Sequence, residues 1–173
     1  MPETTNSDST NREINPESLS VTPLTNNDLP DIEWSGNQGH TDAVRKALER
    51  VEGGGVDYLA VRDKDGKPIA IGGVDYEVNV GTGTLWQLAT REDFRGLGIG
   101  SRLIAELEQK IINRGISSAS LSVETNNPRA KALYERLGYK QYGQDQESWQ
   151  EIDNDGRPST YHAQVDLLRK ELG

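Results

Sequence analysis

Cysteine is missing from all 173 residues, and methionine and phenylalanine occur once each. The first absence removes disulfides, thiolate metal sites and a cysteine nucleophile together. Only two histidines are present, His40 and His162; they lack metal-ligand spacing, so no metal is expected and both read as structural or solvated. Positive charge is also scarce: 19 Lys and Arg against 28 Asp and Glu give a formal charge of −9. Binding nucleic acid through its phosphates needs a clustered basic face, so that partner class is not expected, whereas cationic partners fit. No apolar run approaches the roughly 20 residues of a membrane span, and the N-terminus lacks the charged and apolar segments of a signal peptide. The expectation is a cytoplasmic protein with no membrane partner.

What remains suffices for one domain with a sizeable core, plus a tail. Residues 1–18 hold Asn, Ser, Thr, Glu and Pro with almost no apolar side chains. Such a composition cannot bury enough surface to offset the entropy of ordering, so 1–18 reads as a disordered tail and 19–173 as the folded domain. Leu19 to Leu24 suits a first strand, and Asn27, Asp28 and Pro30 supply turn chemistry. From His40 to Glu52, Val44, Ala47, Leu48 and Val51 recur at helical spacing, with Thr41 as the cap and Gly53 to Gly55 as the stop. The period then becomes that of extended chain over Tyr58 to Val61, an Asp65 and Gly66 hairpin, Pro68 to Tyr76, and Thr84 to Thr90.

A second helix puts Leu103, Ile104, Leu107, Ile111 and Ile112 on one face and ends at Arg114 and Gly115. Ala119 to Val123 reads as a buried strand. Asn127 caps a short helix that Pro128 opens, carrying Ala130, Leu133, Tyr134 and Leu137 before Gly138 stops it. Tyr139 to Tyr142 and Thr160 to Leu168 look like closing strands, joined by a polar connection from Gly143 to Pro158. Within that connection Glu151, Asp153, Asp155 and Gly156 have the start of a calcium-loop spacing, but His162 stands where the bidentate glutamate is required, so a hairpin turn at Asn154 to Gly156 is expected.

The densest signal is Arg95, Gly96, Leu97, Gly98, Ile99 and Gly100, a glycine-rich turn that joins a strand to a helix. Such a turn presents unpaired N–H groups at the positive end of a helix dipole, with little bulk to keep an anion away. The dinucleotide fingerprint needs Gly-x-Gly-x-x-Gly, whereas these glycines alternate; the P-loop needs Gly-Lys-Ser/Thr, whereas Gly100 is followed by Ser101 and Arg102. Both devices also open a parallel βαβ unit, while this turn follows an antiparallel meander.

Arg95-x-x-Gly98-x-Gly100 resembles the pyrophosphate loop of the GNAT N-acetyltransferases, and Asn127-x-x-Ala130-x-x-x-Tyr134-x-x-x-Gly138-Tyr139 resembles their C-terminal signature. Two motifs in order, about thirty residues apart, discriminate far better than either alone, and the resemblance covers roughly Ser20 to Leu172. It implies an α/β (mixed α+β) fold with a mostly antiparallel mixed sheet, a splayed central strand pair and helices on both faces. It further implies that acetyl-coenzyme A is the co-substrate and an amine, small molecule or peptide, the acceptor, in a monomer or homodimer. On this resemblance the backbone of Leu88, Ala89 and Thr90 pairs with the pantetheine arm. The amides of Gly96, Leu97, Gly98, Ile99, Gly100 and Ser101 hold the pyrophosphate with Arg95, Asn127 contacts the cofactor, and Tyr134 is the catalytic acid. A non-catalytic acetyl-coenzyme A-binding regulatory module is the alternative.

Each residue also has a plainer reading. The glycines suit close packing, Arg95 a surface charge, Asn127 a cap alone, and Tyr134 a core position on its helical stripe. The base is open: Thr84 to Thr90 carries Trp86 and Gln87 but no carboxylate or histidine, leaving Asp75, Glu77 and Glu124 as candidates through water. For the acceptor, Trp86, Asp145, Glu147 and Trp149 offer aromatic and acidic surface suited to a cation, with Trp34 a further candidate.

Overall fold

The computed structural model describes residues 18–153 and 155–173, so residues 1–17 of the expected tail, and Asn154, lie outside the described residues. Seven strands form one sheet: β1 (Ser20–Pro23), β2 (Val56–Arg62), β3 (Pro68–Asp75), β4 (Gly83–Thr90), β5 (Ser118–Glu124), β6 (Lys140–Ile152) and β7 (Pro158–Glu171). Their spatial order is β1-β2-β3-β4-β5-β7-β6. Neighbours are antiparallel except β4 and β5, which run parallel. Three helices, α1 (Gln38–Glu52), α2 (Ile99–Asn113) and α3 (Pro128–Arg136), complete the fold. It is the mixed, mostly antiparallel α/β sheet that the motifs imply.

The period of two along the strands divides the core between the two sheet faces. On β2, Leu59 and Val61 join α2 residues Leu103, Leu107 and Ile111, whereas Tyr58 and Ala60 join α1 residues Val44, Ala47 and Leu48. Helices thus cover both faces. A strand buried on both sides reads as a continuous apolar run, which is why β2 and β3 lack polar alternation.

Two irregularities in the centre create the site. β4 pairs with β5 only at Gly83↔Ala119 and Thr84↔Ser120, after which the parallel strands part. On its other edge β4 pairs Trp86 with Gly73 and Ala89 with Ile71, so Gly72 alone faces both Gln87 and Leu88. This is a β-bulge, and Gln87 adopts a positive φ of 57° to make it. The extra residue inverts the phase of the strand: Leu85 and Leu88 pack on the α2 side, Trp86 and Ala89 on the α1 side. A Cβ at Gly72 would collide with Leu88 Cδ2, and one at Gly73 would lie 2.7 Å from Trp86, so these two glycines make room for the bulged residues.

Two sequence expectations are corrected. Asn37, not Thr41, caps α1: its Oδ1 accepts from His40 N at 3.0 Å, while Thr41 is buried in the first turn and donates to Asn37 O. The connection from Gly143 to Pro158 is mostly strand, because β6 and β7 continue as a long hairpin from Gln144 to Ile152. Its outer part is mostly exposed and polar and so has no apolar alternation to read. Cross-strand pairs hold it instead: Trp149 on Tyr161 with ring centroids 4.7 Å apart, and Gln150 Nε2 donating to Thr160 Oγ1 at 2.8 Å. At the hairpin's end Asp153 Oδ1 accepts from the amides of Asp155 and Arg157, an ordinary polar turn.

Candidate active site

The parting of β4 from β5 opens a cleft that α2 and α3 flank. Gly98 precedes α2 in the left-handed conformation, φ 78°, and the helix has no side-chain cap. Its first intrahelical acceptor is Gly98 O, reached by Arg102 N. The amides before it therefore lack helical partners and aim along the positive end of the dipole.

A cavity of about 520 Å³ lies in front of these amides. It is lined by Leu88, Ala89 and Thr90 of β4, by Arg95, Gly96, Gly98, Ile99, Gly100 and Ser101 of the turn, and by Asn127, Arg129, Ala130, Leu133, Tyr134 and Arg136. The site residues singled out by the two motifs are thus brought together, except Leu97, whose side chain is exposed outside the lining. Among the described residues the cavity's charged lining is Arg95, Arg129 and Arg136, without a carboxylate. Arg95 Nε donates to Thr90 O at 3.1 Å and so braces the turn against the end of β4. Asn127 Oδ1 accepts from Ala130 N at 3.2 Å, a cap that leaves its amide nitrogen available.

A second cavity, of about 590 Å³, lies beyond the bulge. Trp86, Gln87, Ser122 and Glu124 form its strand wall, Asn37, Gly39, His40 and Ala43 the start of α1, and Glu147, Trp149, Gln150 and Glu151 the hairpin wall. Its charge is opposite: Glu124, Glu147 and Glu151 line it, with no Lys or Arg among the described residues. Leu88 and Tyr134 line both cavities.

Tyr134 therefore stands at the junction and not in the interior. Its ring meets that of Tyr139 edge-on at 6.3 Å, and burial raises its pKa above the usual tyrosine value. No described residue bonds its hydroxyl, which leaves a protonated phenol available to a ligand.

Several acceptor and base candidates are sorted by position. Glu124, Glu147, Trp86 and Trp149 line the second cavity, whereas Asp145, Trp34, Asp75 and Glu77 line neither. Asp75 sits at the end of β3 and accepts two hydrogen bonds from the Arg50 guanidinium, at 2.9 and 2.7 Å, and Arg50 also donates to Glu77. Burial raises the Asp75 pKa, but the Arg50 guanidinium and the Glu77 amide together outweigh this and hold it below the usual range. Trp34 packs in the α1 core, and His162 is exposed on the hairpin.

His40 is the residue that sequence reasoning missed. It lines the second cavity, its Nε2 is buried without a partner, and burial lowers its pKa, which favours the neutral imidazole. Nothing in the local sequence signals this, because the position depends on how the first turn of α1 meets the bulge and the hairpin.

Comparison with known proteins agrees with this fold. The model of the acetyltransferase (GNAT) family matches residues 24–139, and so ends where the β6–β7 hairpin begins. Among solved structures, the ribosomal-protein-S18-alanine N-acetyltransferase from Escherichia coli is similar with a TM-score of 0.68 at 20% identity, covering 90% of this chain and 94% of that one. The spermidine/spermine N-acetyltransferase from Vibrio cholerae gives 0.67 at 18% identity, covering 90% and 93%. An N-acetyltransferase from Thermoplasma acidophilum, in complex with coenzyme A, gives 0.64 at 15% identity, covering 89% and 99%. At these identities the likeness is one of fold.

Proposed function

Because the chain belongs to the acetyltransferase (GNAT) family, we propose that it transfers the acetyl group of acetyl-coenzyme A directly to a primary amine. The observation that carries this reading is that a basic, amide-lined cleft and an acidic cavity meet at Leu88 and Tyr134. A donor bearing phosphates and an acceptor bearing an ammonium group are thereby matched to separate chambers with one shared wall. The fit of the donor rests on this chain's own features: uncapped amides at the start of α2, three arginines, and an edge of β4 left without a strand partner beyond Thr84. Pantetheine is a chain of amides and can add to such an edge.

In this reading Arg95, Arg129 and Arg136 meet phosphate charge, and the amides from Gly98 to Ser101 hold the pyrophosphate. The β4 backbone from Leu88 to Thr90 orients the thioester and supplies N–H groups to its carbonyl oxygen as charge develops there. The amine nitrogen forms a bond to the acetyl carbon, the carbon–sulfur bond breaks, the Tyr134 O–H gives its proton to the departing sulfur, and the proton that the nitrogen sheds on becoming an amide restores the phenol. A lysine-like amine must first lose a proton at a cost of about 4 to 5 kcal/mol at pH 7. Glu124, Glu147 and neutral His40 line the chamber in which that proton leaves.

The test is a calorimetric titration with coenzyme A, followed by an assay of thiol release and acetylated product with acetyl-coenzyme A and a panel of amines. Binding in the micromolar range and product formed in step with thiol are expected. Absence of cofactor binding would overturn the reading, and binding without transfer to any amine would favour a regulatory module.

A further inference from the structure

We infer, given the acceptor chamber assigned above, that its amine is a small linear diamine or polyamine, reacting at the Tyr134 end while a second ammonium is held by the β6–β7 hairpin. The hairpin carries the argument. Glu147 and Glu151 are four residues apart on β6, hence on one face of the strand and about 13 Å apart along it. They are half-buried positions on a strand that is otherwise mostly exposed, and both line the acceptor chamber.

Their partners fix them at different depths. Glu147 Oε1 accepts from Ser122 Oγ of β5 at 2.7 Å, which ties this carboxylate to the splayed centre of the sheet. Glu151 Oε1 accepts from Trp149 Nε1 at 3.0 Å, further out along the hairpin. Each carboxylate keeps its second oxygen for a ligand. Trp149 lies between them on the same face, an indole surface that suits methylenes and cations alike.

A monoamine would leave at least one of these lining carboxylates without a counter-charge as the chamber fills, an unfavourable outcome that a second ammonium removes. A peptide would bring backbone amides that need partners. On the amide side chains of the wall one polar atom is already taken: Gln87 Oε1 accepts from Tyr58, Gln150 Nε2 donates to Thr160, and Asn37 Oδ1 accepts from His40 N, which leaves two NH₂ groups and one carbonyl for the several amides of a peptide. An alkyl chain with ammonium groups asks only for carboxylates and apolar wall.

The experiment titrates the coenzyme A-loaded full chain with a linear diamine, with the monoamine of equal carbon count, and with a peptide bearing a free N-terminus. Calorimetry reads the affinities, and thiol release with acetyl-coenzyme A reads the rates. At least a tenfold lower Kd for the diamine than for the monoamine is expected, with the ratio falling towards one in Glu151→Gln. Equal affinity for the two amines, or preference for the peptide, overturns the inference, and neither result depends on a variant folding. Tight diamine binding without acetyl transfer supports the recognition described here while overturning the proposed reaction.

Discussion

The Tyr58 hydroxyl donates to Gln87 Oε1 at 3.0 Å, tying the middle of β2 to the bulge of β4 across the intervening β3. Gln87 is the non-glycine residue with positive φ among the described residues, a conformation that costs about 1 to 2 kcal/mol for an L side chain. The bond therefore offsets part of a local strain that re-aims Leu88 towards the cleft. Burial raises the Tyr58 pKa well above the usual value, so the donor persists at any working pH. Tyr58→Phe keeps the ring that packs edge-on against Trp86 and removes only the donor. A loss of about 1 kcal/mol in thermal unfolding is expected, with a fall in kcat/KM beyond what that lost stability explains, since the bulge then relaxes.

Gly72→Ala tests the same bulge from the β3 side. Its added methyl meets Leu88 Cδ2, and Leu103 and Leu107 of α2 close the space behind at 3.4 and 3.5 Å. Overpacking of this kind costs about 1 to 3 kcal/mol. The strain falls on the residue that walls both chambers, so coenzyme A affinity is expected to drop alongside Tm. Calorimetry on the folded fraction separates the two effects, and unchanged affinity would remove Leu88 from the cofactor wall.

Tyr134→Phe is expected to lower kcat by roughly 10²-fold, the lower end of what a positioned general acid contributes, with little change in the Kd of coenzyme A. Retention of the edge-on contact with Tyr139 keeps the local packing. The pH profile adds an independent sign. Since burial moves the Tyr134 pKa upward, the acid form survives past the ordinary tyrosine value of about 10. The native enzyme should therefore show no descending limb below that pH from this group. A limb near neutrality that disappears in the Phe variant would contradict the assignment.

The parts of the molecule visible in the sequence are those with a strong local period or a strict backbone demand. α2 declares itself through Leu103, Leu107 and Ile111, and the turn before it through Gly98, whose φ of 78° a glycine adopts freely. α3 is announced by Asn127 and Pro128. What stayed hidden depends on partners distant in the chain. The bulge at Gln87 has no signature in β4 itself, because Gly72 and Gly73, which make space for it, lie on another strand. The outer hairpin is polar on both faces, so only pairing across β6 and β7 reveals it as strand. His40 and Glu151 become neighbours of one cavity only through that hairpin.

Outside the site, acid stability is expected to depend on Arg62 and Asp28. The guanidinium clamps the carboxylate through two bonds, Nη1 to Oδ1 at 2.7 Å and Nη2 to Oδ2 at 2.8 Å, and both side chains are largely buried. Arg62 also reaches Thr22 Oγ1 and Pro23 O, so the pair fastens β1 and the following turn to β2. The hydrogen bond from Arg62, opposed by burial and helped by the Thr25 amide, holds the Asp28 carboxyl below its usual range. With the folded pKa depressed, the pair's contribution is complete above the unfolded value of about 3.9 and is lost as pH falls through the folded value. Asp28→Asn leaves Arg62 poorly compensated, at a cost of about 3 kcal/mol near pH 7, the lower end for a buried pair that loses one partner. Its Tm should also vary less than the native protein's as pH is lowered through the acid range, because one carboxylate no longer titrates. Thermal unfolding at a series of pH values reads both effects, and an unchanged acid limb in the variant would assign acid sensitivity to other carboxylates.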